Sequence, residues 1–87
     1  MKPRKILKQI LSGSKNIRFD DFVTLILAFG FTLIRISGSH HVFGHPDVPQ
    51  RISIQPDKNG QAKRYQLKQF IKLIEQFELH LNGDEEE

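Results

Sequence analysis

The order of secondary structure is decided by the segment FTLIRISGSHHVFGH, residues 31–45. The segment opens with β-branched and aromatic side chains, which favour a strand. Ser37-Gly38-Ser39 then forms a turn, in which Gly38 is free to take a positive φ. A second strand follows at His40-His41-Val42-Phe43 and ends at Gly44-His45-Pro46. We therefore predict two short antiparallel strands joined by a tight turn.

A third strand is predicted at Arg51-Ile52-Ser53-Ile54-Gln55, where apolar and polar residues alternate. Apolar residues take helical spacing over about residues 3–12, from Asp20 to Gly30, and from about Tyr65 to a point before Asn82. Three consecutive strands form an antiparallel meander, and so small a sheet needs helices on one face. We predict an α+β fold in the order α-α-β-β-β-α, with the other sheet face or an edge open to a ligand.

The chain has the size of one domain, which we expect to span residues 1–83. It contains no Cys, which excludes disulfides and thiolate metal sites and fits a reducing compartment. No apolar run approaches the ~20 residues of a membrane span, and the start of the chain is too polar for a signal peptide. We therefore expect a cytoplasmic protein with no membrane partner.

The net charge of +3 conceals an uneven distribution. The last four residues are all acidic, and we expect residues 84–87 to form a disordered acidic tail. Without them, 13 basic residues face six acidic ones, which gives residues 1–83 a net charge of +7. A domain with this excess favours anionic partners such as nucleic acid, although a solvated basic face explains the charge equally well.

Three of the four His residues lie between positions 40 and 45, close to Asp47, which raises the question of a metal site. In an extended strand His40 and His41 point to opposite faces, while His41 and His45 share a face about 13 Å apart at ~3.3 Å per residue. One ion with ligand bonds of about 2 Å does not bridge that distance. We therefore predict no metal site and no cofactor.

Acid–base chemistry is the other hypothesis for His40, which follows the Gly-Ser turn. An imidazole with an unperturbed pKa of about 6.5 both accepts and donates a proton near neutral pH. In RNA the 2′-hydroxyl can attack the adjacent phosphate once it loses its proton, and Arg35, Lys63 or Arg64 would supply positive charge. From the residues alone, a simple surface position for His40 and His41 remains the stronger alternative.

The last predicted helix carries Arg64, Lys68 and Lys72 at intervals of four residues, opposite its apolar face. Such a stripe is either an ordinary solvated face or a contact to a phosphate backbone. Tyr65 is able to stack on a base, but an anchor between the start of the helix and the core is the more common role of such a residue.

The residues from 30 to 46 resemble the HicA family of toxin–antitoxin systems. The shared pattern is Gly30-Phe31, then Arg35, then Gly38-Ser39-His40-His41, an aromatic residue and His45-Pro46. Residues 60–70 also resemble the start of the last helix of that family, and the resemblance spans roughly Phe19 to Leu79. Typical members begin with one helix, whereas this sequence indicates two, so the helix at about 3–12 is extra.

The resemblance implies a fold like a double-stranded-RNA-binding domain and metal-independent cleavage of mRNA that inhibits translation. It implies that His40 is catalytic and that a HicB-type antitoxin protein covers the site in a hetero-oligomer. We expect RNA contacts from Arg35, Gly38, Ser39, His41, Lys63, Arg64, Lys68 and Lys72. Two alternatives stay open: an RNA-binding module without catalysis, and a protein whose basic face binds only an acidic partner.

Overall fold

The structure, a computed structural model, describes residues 1–81. Its element order confirms the predicted α+β class and the sequence α-α-β-β-β-α. The helices are α1 (Pro3–Leu11), α2 (Phe19–Ala28) and α3 (Arg64–Gln76), and the strands are β1 (Thr32–Ser37), β2 (His40–His45) and β3 (Val48–Ile54). The predicted acidic tail at 84–87 lies outside the described residues. No helix within residues 1–81 has the length and apolar character needed to cross a bilayer.

The three strands form one antiparallel sheet in the order β1-β2-β3, so β2 is central. On one side Ser37 of β1 lies opposite His40, and Arg35 lies opposite Val42. On the other side Ile54 of β3 lies opposite His41. The β1–β2 register shifts between Leu33 and Arg35, which makes Ile34 the extra residue of a bulge. The meander therefore places the first residues of β2 between the end of β1 and the end of β3.

The helices bury one face of this sheet. Phe70 of α3 lies at the centre, and its ring meets those of Phe22, Phe29 and Phe31 at centroid distances of 5.7, 5.6 and 5.7 Å. Ile6 of the extra helix α1 is fully buried in the same core. Burying such a side chain stabilises a small domain by about 1.5–3 kcal/mol, so α1 is part of the core and not an appendage.

The predicted start of β3 was wrong. β3 begins at Val48 instead of Arg51, and only Pro46 and Asp47 separate it from β2. This start was missed because Pro49 interrupts the alternation of apolar and polar residues. A proline is nevertheless tolerated in an edge strand, where the outward N–H donor is not needed.

The last helix ends at Gln76, before Asn82 as predicted. Glu78 takes a φ of +53°, and the backbone N–H of Leu79 donates to the carbonyl of Ile74 at 2.9 Å. The N–H of Glu78 donates to the carbonyl of Glu75. These two bonds form a Schellman motif, which usually carries glycine at the position that Glu78 occupies. Because this position is not a glycine, the exact last residue of α3 could not be predicted from the sequence.

Candidate functional site

His40 is the first residue of β2 and directly follows the Gly38-Ser39 turn. Gly38 has a φ of +61°, and a Cβ at this position would meet nothing within 4 Å. Glycine is thus favoured by the backbone conformation and not by lack of space. The His40 side chain is exposed, and within residues 1–81 it has no hydrogen-bond or ion-pair partner. An imidazole at this position is free to meet a ligand.

The residues of β2 alternate between the two faces of the sheet, as the sequence predicted. The ring of His41 meets Phe19 of α2 edge-on at 5.0 Å, and the ring of His45 meets Phe31 at 4.9 Å. Phe43 between them is fully buried. These three side chains therefore face the helices, and His40 faces the side that the helices leave open.

The hydrogen bonds of the two inward-facing His residues define their tautomers when neutral. Nδ1 of His41 lies 3.1 Å from the carbonyl oxygen of Ser39, so this nitrogen donates. Nδ1 of His45 accepts a hydrogen bond from the backbone N–H of Asp47 at 3.0 Å, so its proton lies on Nε2. Each ring stabilises a turn at one end of β2. Of the three clustered His residues, His40 alone has a side chain without a hydrogen bond or ring contact in the described part of the chain.

Arg35 and Ser37 share the open face with His40. Ser37 lies directly opposite His40, and Arg35 is opposite Val42, two residues along β2. Diagonal neighbours of this kind lie about 7–8 Å apart, within reach of an Arg side chain. The structure thus brings Arg35 to the neighbourhood of His40, as one cation beside one potential base.

The first turn of α3 lies at the same end of the molecule as His40. Ile54, which pairs with His41, ends β3, and the backbone N–H of the next residue, Gln55, donates to Oε1 of Gln66 at 3.2 Å. Lys63 and Arg64 therefore lie near the His40 end. Lys72 lies two turns further along α3, about 12 Å from Arg64 along the helix axis. The predicted basic residues consequently do not form one cluster around His40.

The loop of residues 55–63 leads into α3 and is hydrogen-bonded to the start of α2 at this end of the molecule. The carboxylate of Asp57 accepts hydrogen bonds from the backbone N–H groups of Gln61 and Asn59, at 2.9 and 2.8 Å. These bonds, with Gln61 the larger contribution, lower the pKa of Asp57 below its usual value. The carbonyl of Gly60 in turn accepts a bond from the N–H of Phe19. The loop thereby fixes Lys63 relative to the residue that packs on His41.

The structure also places two cations that were not singled out in the sequence, Arg18 at the His40 end and Arg51 at the His45 end of the sheet. Arg18 precedes Phe19 and forms a backbone bridge with Gln61 at the His40 end. Arg51 of β3 is exposed and alternates with the inward-facing Ile52, so it lies on the open face. The alternation of β3 was a usable signal for Arg51. For Arg18 the sequence offered no signal beyond its charge.

The expected core anchor at Tyr65 was wrong. The side chain is 57% exposed, and its hydroxyl accepts a hydrogen bond from Nε2 of Gln66 at 3.2 Å. Gln66 is the buried residue of this pair, with 6% exposure, and it connects α3 to the residue after β3. Tyr65 is therefore an exposed ring at the start of α3, available for stacking.

Within residues 1–81 the N-terminal amine forms an ion pair with Asp21 at 3.9 Å. The same part of the chain brings no three His, Asp or Glu side chains together for a metal ion. A groove of about 760 Å³ lies at the far end, between α1 and the end of α3, and His80 lines it.

Comparison with protein families finds a match to the segment that carries this site. Residues 19–76, two thirds of the chain, match the family model described as the HicA toxin of bacterial toxin–antitoxin systems. The matched segment includes α2, the sheet with His40, and α3, and it leaves out α1. Searches of curated proteins and of solved structures found no match. The chain belongs to the HicA toxin family.

Proposed function

We propose that this toxin is an endoribonuclease of a type II toxin–antitoxin system, which cleaves mRNA without a metal ion and so inhibits translation. The observation that carries the proposal is the exposed His40 on the open sheet face, inside the segment that matches the family. His40 is the proposed catalytic residue.

The chemistry needs one base and positive charge beside the phosphate. His40 accepts the proton of a ribose 2′-hydroxyl, and the 2′-oxygen then attacks the adjacent phosphorus. The bond to the 5′-oxygen breaks, that oxygen takes up a proton from water, and His40 returns its proton to the solvent. Arg35, diagonal to His40 on the same face, stabilises the negative charge that develops on the phosphorane. The products carry a 2′,3′-cyclic phosphate and a 5′-hydroxyl.

The surrounding residues would hold the RNA backbone. Backbone groups of Gly38 and Ser39 lie next to His40 in the turn, and Lys63 and Arg64 supply charge at the same end of the molecule. Lys68 and Lys72 extend this charge along α3 and would add salt-sensitive contacts to more distant phosphates. His41 packs on Phe19, so its predicted contact with RNA would be limited to one edge of the ring.

The family also implies a partner. We propose that a HicB-type antitoxin protein binds this chain in a hetero-oligomer and covers His40. The complex would act in the cytoplasm, where mRNA is translated.

The test is cleavage of a defined mRNA by purified protein in EDTA and in Mg²⁺, with mapping of the 5′ ends. We expect His40→Ala to lose cleavage and growth inhibition while keeping its fold. His80→Ala is the matched control, because it removes an imidazole at the far end of the molecule. It should cleave like the wild type.

Each other outcome has a definite meaning. Cleavage by His40→Ala at the wild-type rate would refute the catalytic assignment. Salt-dependent RNA binding without cleavage by the wild type would favour the RNA-binding module instead. Cleavage in Mg²⁺ alone, absent in EDTA, would refute the metal-independent mechanism.

A further inference from the structure

Strand β1 is an exposed apolar edge of the sheet. Within residues 1–81 it pairs with β2 alone, and all six of its residues are exposed. Three of them are large and apolar: Leu33 is 45% exposed, Ile34 41% and Ile36 55%. An edge strand has unpaired backbone N–H and C=O groups, and proteins usually protect such edges with charge, proline or a cover. On β1 the protection is limited to Arg35 and the bulge at Ile34.

The opposite edge is better protected. β3 carries Pro49, which lacks an N–H donor, and the charged Arg51. The side chain of Gln66 also bonds to the backbone of Gln55 directly after β3. The two edges of the same sheet are thus unequal, and β1 is the one suited to accept another strand.

The apolar side chains of β1 lie on both faces of the sheet. Leu33 is opposite Phe43 and Ile36 is opposite His41, so both lie on the helix side. Ile34 packs over Gly44, where a Cβ would come within 2.8 Å of its Cδ1 atom. A strand added to β1 would therefore gain backbone hydrogen bonds and bury apolar surface on either face.

The net charge of the chain indicates which kind of partner binds the β1 edge. Residues 1–83 carry a net charge of +7, so a second copy of the chain would bring together two surfaces of like charge. A toxin of a toxin–antitoxin system has an antitoxin, and an acidic partner complements this surface. We propose that the protein antitoxin adds an acidic, partly apolar strand to the β1 edge, next to Arg35. This inference rests on the proposed pairing with a protein antitoxin.

Strand addition at β1 would explain inhibition directly. Neighbouring strands lie about 4.8 Å apart, so the added strand would be about 10 Å from β2 and His40. Acidic side chains on its open face would reach Arg35 and compete with the phosphate of RNA. The antitoxin would then block the site by occupying its cation, with no need to change the shape of the toxin.

The experiment uses the full chain and a purified HicB-type antitoxin protein from the same genome. We expect Ile36→Glu to weaken this complex about tenfold or more, because it places a charge in the apolar, helix-side part of the proposed interface. Gln50→Glu is the matched control, since it makes the same charge change on the β3 edge. It should bind like the wild type. Ile36→Glu should still cleave RNA.

Hydrogen exchange gives a second measurement that does not depend on a variant. Formation of the wild-type complex should protect amides within residues 32–37, while amides of β3 should change little. Equal binding by the two variants, or protection confined to β3 or the helices, would overturn the β1 assignment even if RNA cleavage is normal. No binding by the wild type, or loss of a toxin homodimer in Ile36→Glu, would overturn the antitoxin as occupant. The catalytic proposal is tested separately, by the loss of RNA cleavage in His40→Ala.

Discussion

The ring of His41 meets the ring of Phe19 edge-on, 5.0 Å away, on the sheet face opposite to His40. Two adjacent His residues therefore have different surroundings. His41 joins β2 to α2 and donates to the carbonyl of Ser39, whereas His40 is exposed on the open face. The relationship separates residues that hold the site in place from the one proposed to react.

The contact between His41 and Phe19 should contribute to stability. We expect His41→Ala to lower the free energy of unfolding by about 1 kcal/mol or more, because an edge-to-face pair and its buried area are lost. His41→Phe keeps a ring at this position and should cost less. Urea unfolding measures both, and equal losses would contradict a role in packing. RNA affinity of His41→Phe separately tests the predicted contact with RNA.

The close approach of Ile34 and Gly44 predicts an energetic coupling between β1 and β2. Gly44→Ala places a Cβ 2.8 Å from Cδ1 of Ile34, so the Ile34 side chain must rotate. Ile34→Val removes that Cδ1 atom and should relieve the clash. We expect Gly44→Ala to be about 0.5–1.5 kcal/mol more destabilising in the wild type than in Ile34→Val. A double-mutant cycle in urea gives this difference directly, and strict additivity would show that the two side chains do not compete for space.

Asp57 predicts a pH dependence of stability. Its pKa in the folded protein is lowered by the N–H groups of Gln61 and Asn59, relative to about 3.9 in the unfolded chain. The stabilisation that the ionised Asp57 carboxylate gives the folded protein is therefore present above pH 4. It is lost as the pH falls through the pKa of Asp57 in the folded protein. The difference in unfolding free energy between wild type and Asp57→Asn should be largest at neutral pH and shrink below pH 4.

Asp47→Asn is the control for this experiment. The Asp47 carboxylate accepts no hydrogen bond from the described residues, whereas the Asp57 carboxylate accepts two. Thermal unfolding between pH 3 and pH 7 compares the two variants. A difference for Asp57→Asn that is constant with pH would show that the loop does not depend on the charge of Asp57.

Salt dependence of RNA binding should rank the cations by position. Each lost phosphate contact lowers the slope of log K against log salt by about 0.7 for single-stranded RNA. We expect Lys63→Gln to show this loss, because Lys63 lies at the His40 end. Lys72→Gln, two helical turns away, should change the slope less. Binding titrations on uncleavable RNA provide the slopes, and the reverse ranking would move the RNA path onto the middle of α3.

The element order was predictable because the spacing of apolar residues changes from helical to alternating at Phe31 and back near Tyr65. The start of β3 and the exact last residue of α3 were not predictable, because Pro49 and Glu78 are unusual residues for the conformations they adopt. The face of His40 followed from the two-residue period of a strand. The position of Lys63 depends on tertiary contacts through Gln66 and the loop at Asp57, which leave no local pattern. The same holds for Tyr65, which is exposed while its neighbour Gln66 is buried and bonded to Gln55.

The alternation of β2 also bears on what this scaffold becomes if its chemistry is lost. His40 contributes no contact to the core, while His41, Phe43 and His45 anchor the strand from the other side. A copy with another residue in place of His40 would fold as before and present the same β1 edge. If His40 is the catalytic residue and the antitoxin binds the β1 edge, as proposed, such a copy would not cleave RNA but would still bind the antitoxin and release active copies from inhibition. A single substitution would thus turn an active toxin into an inactive competitor for the antitoxin.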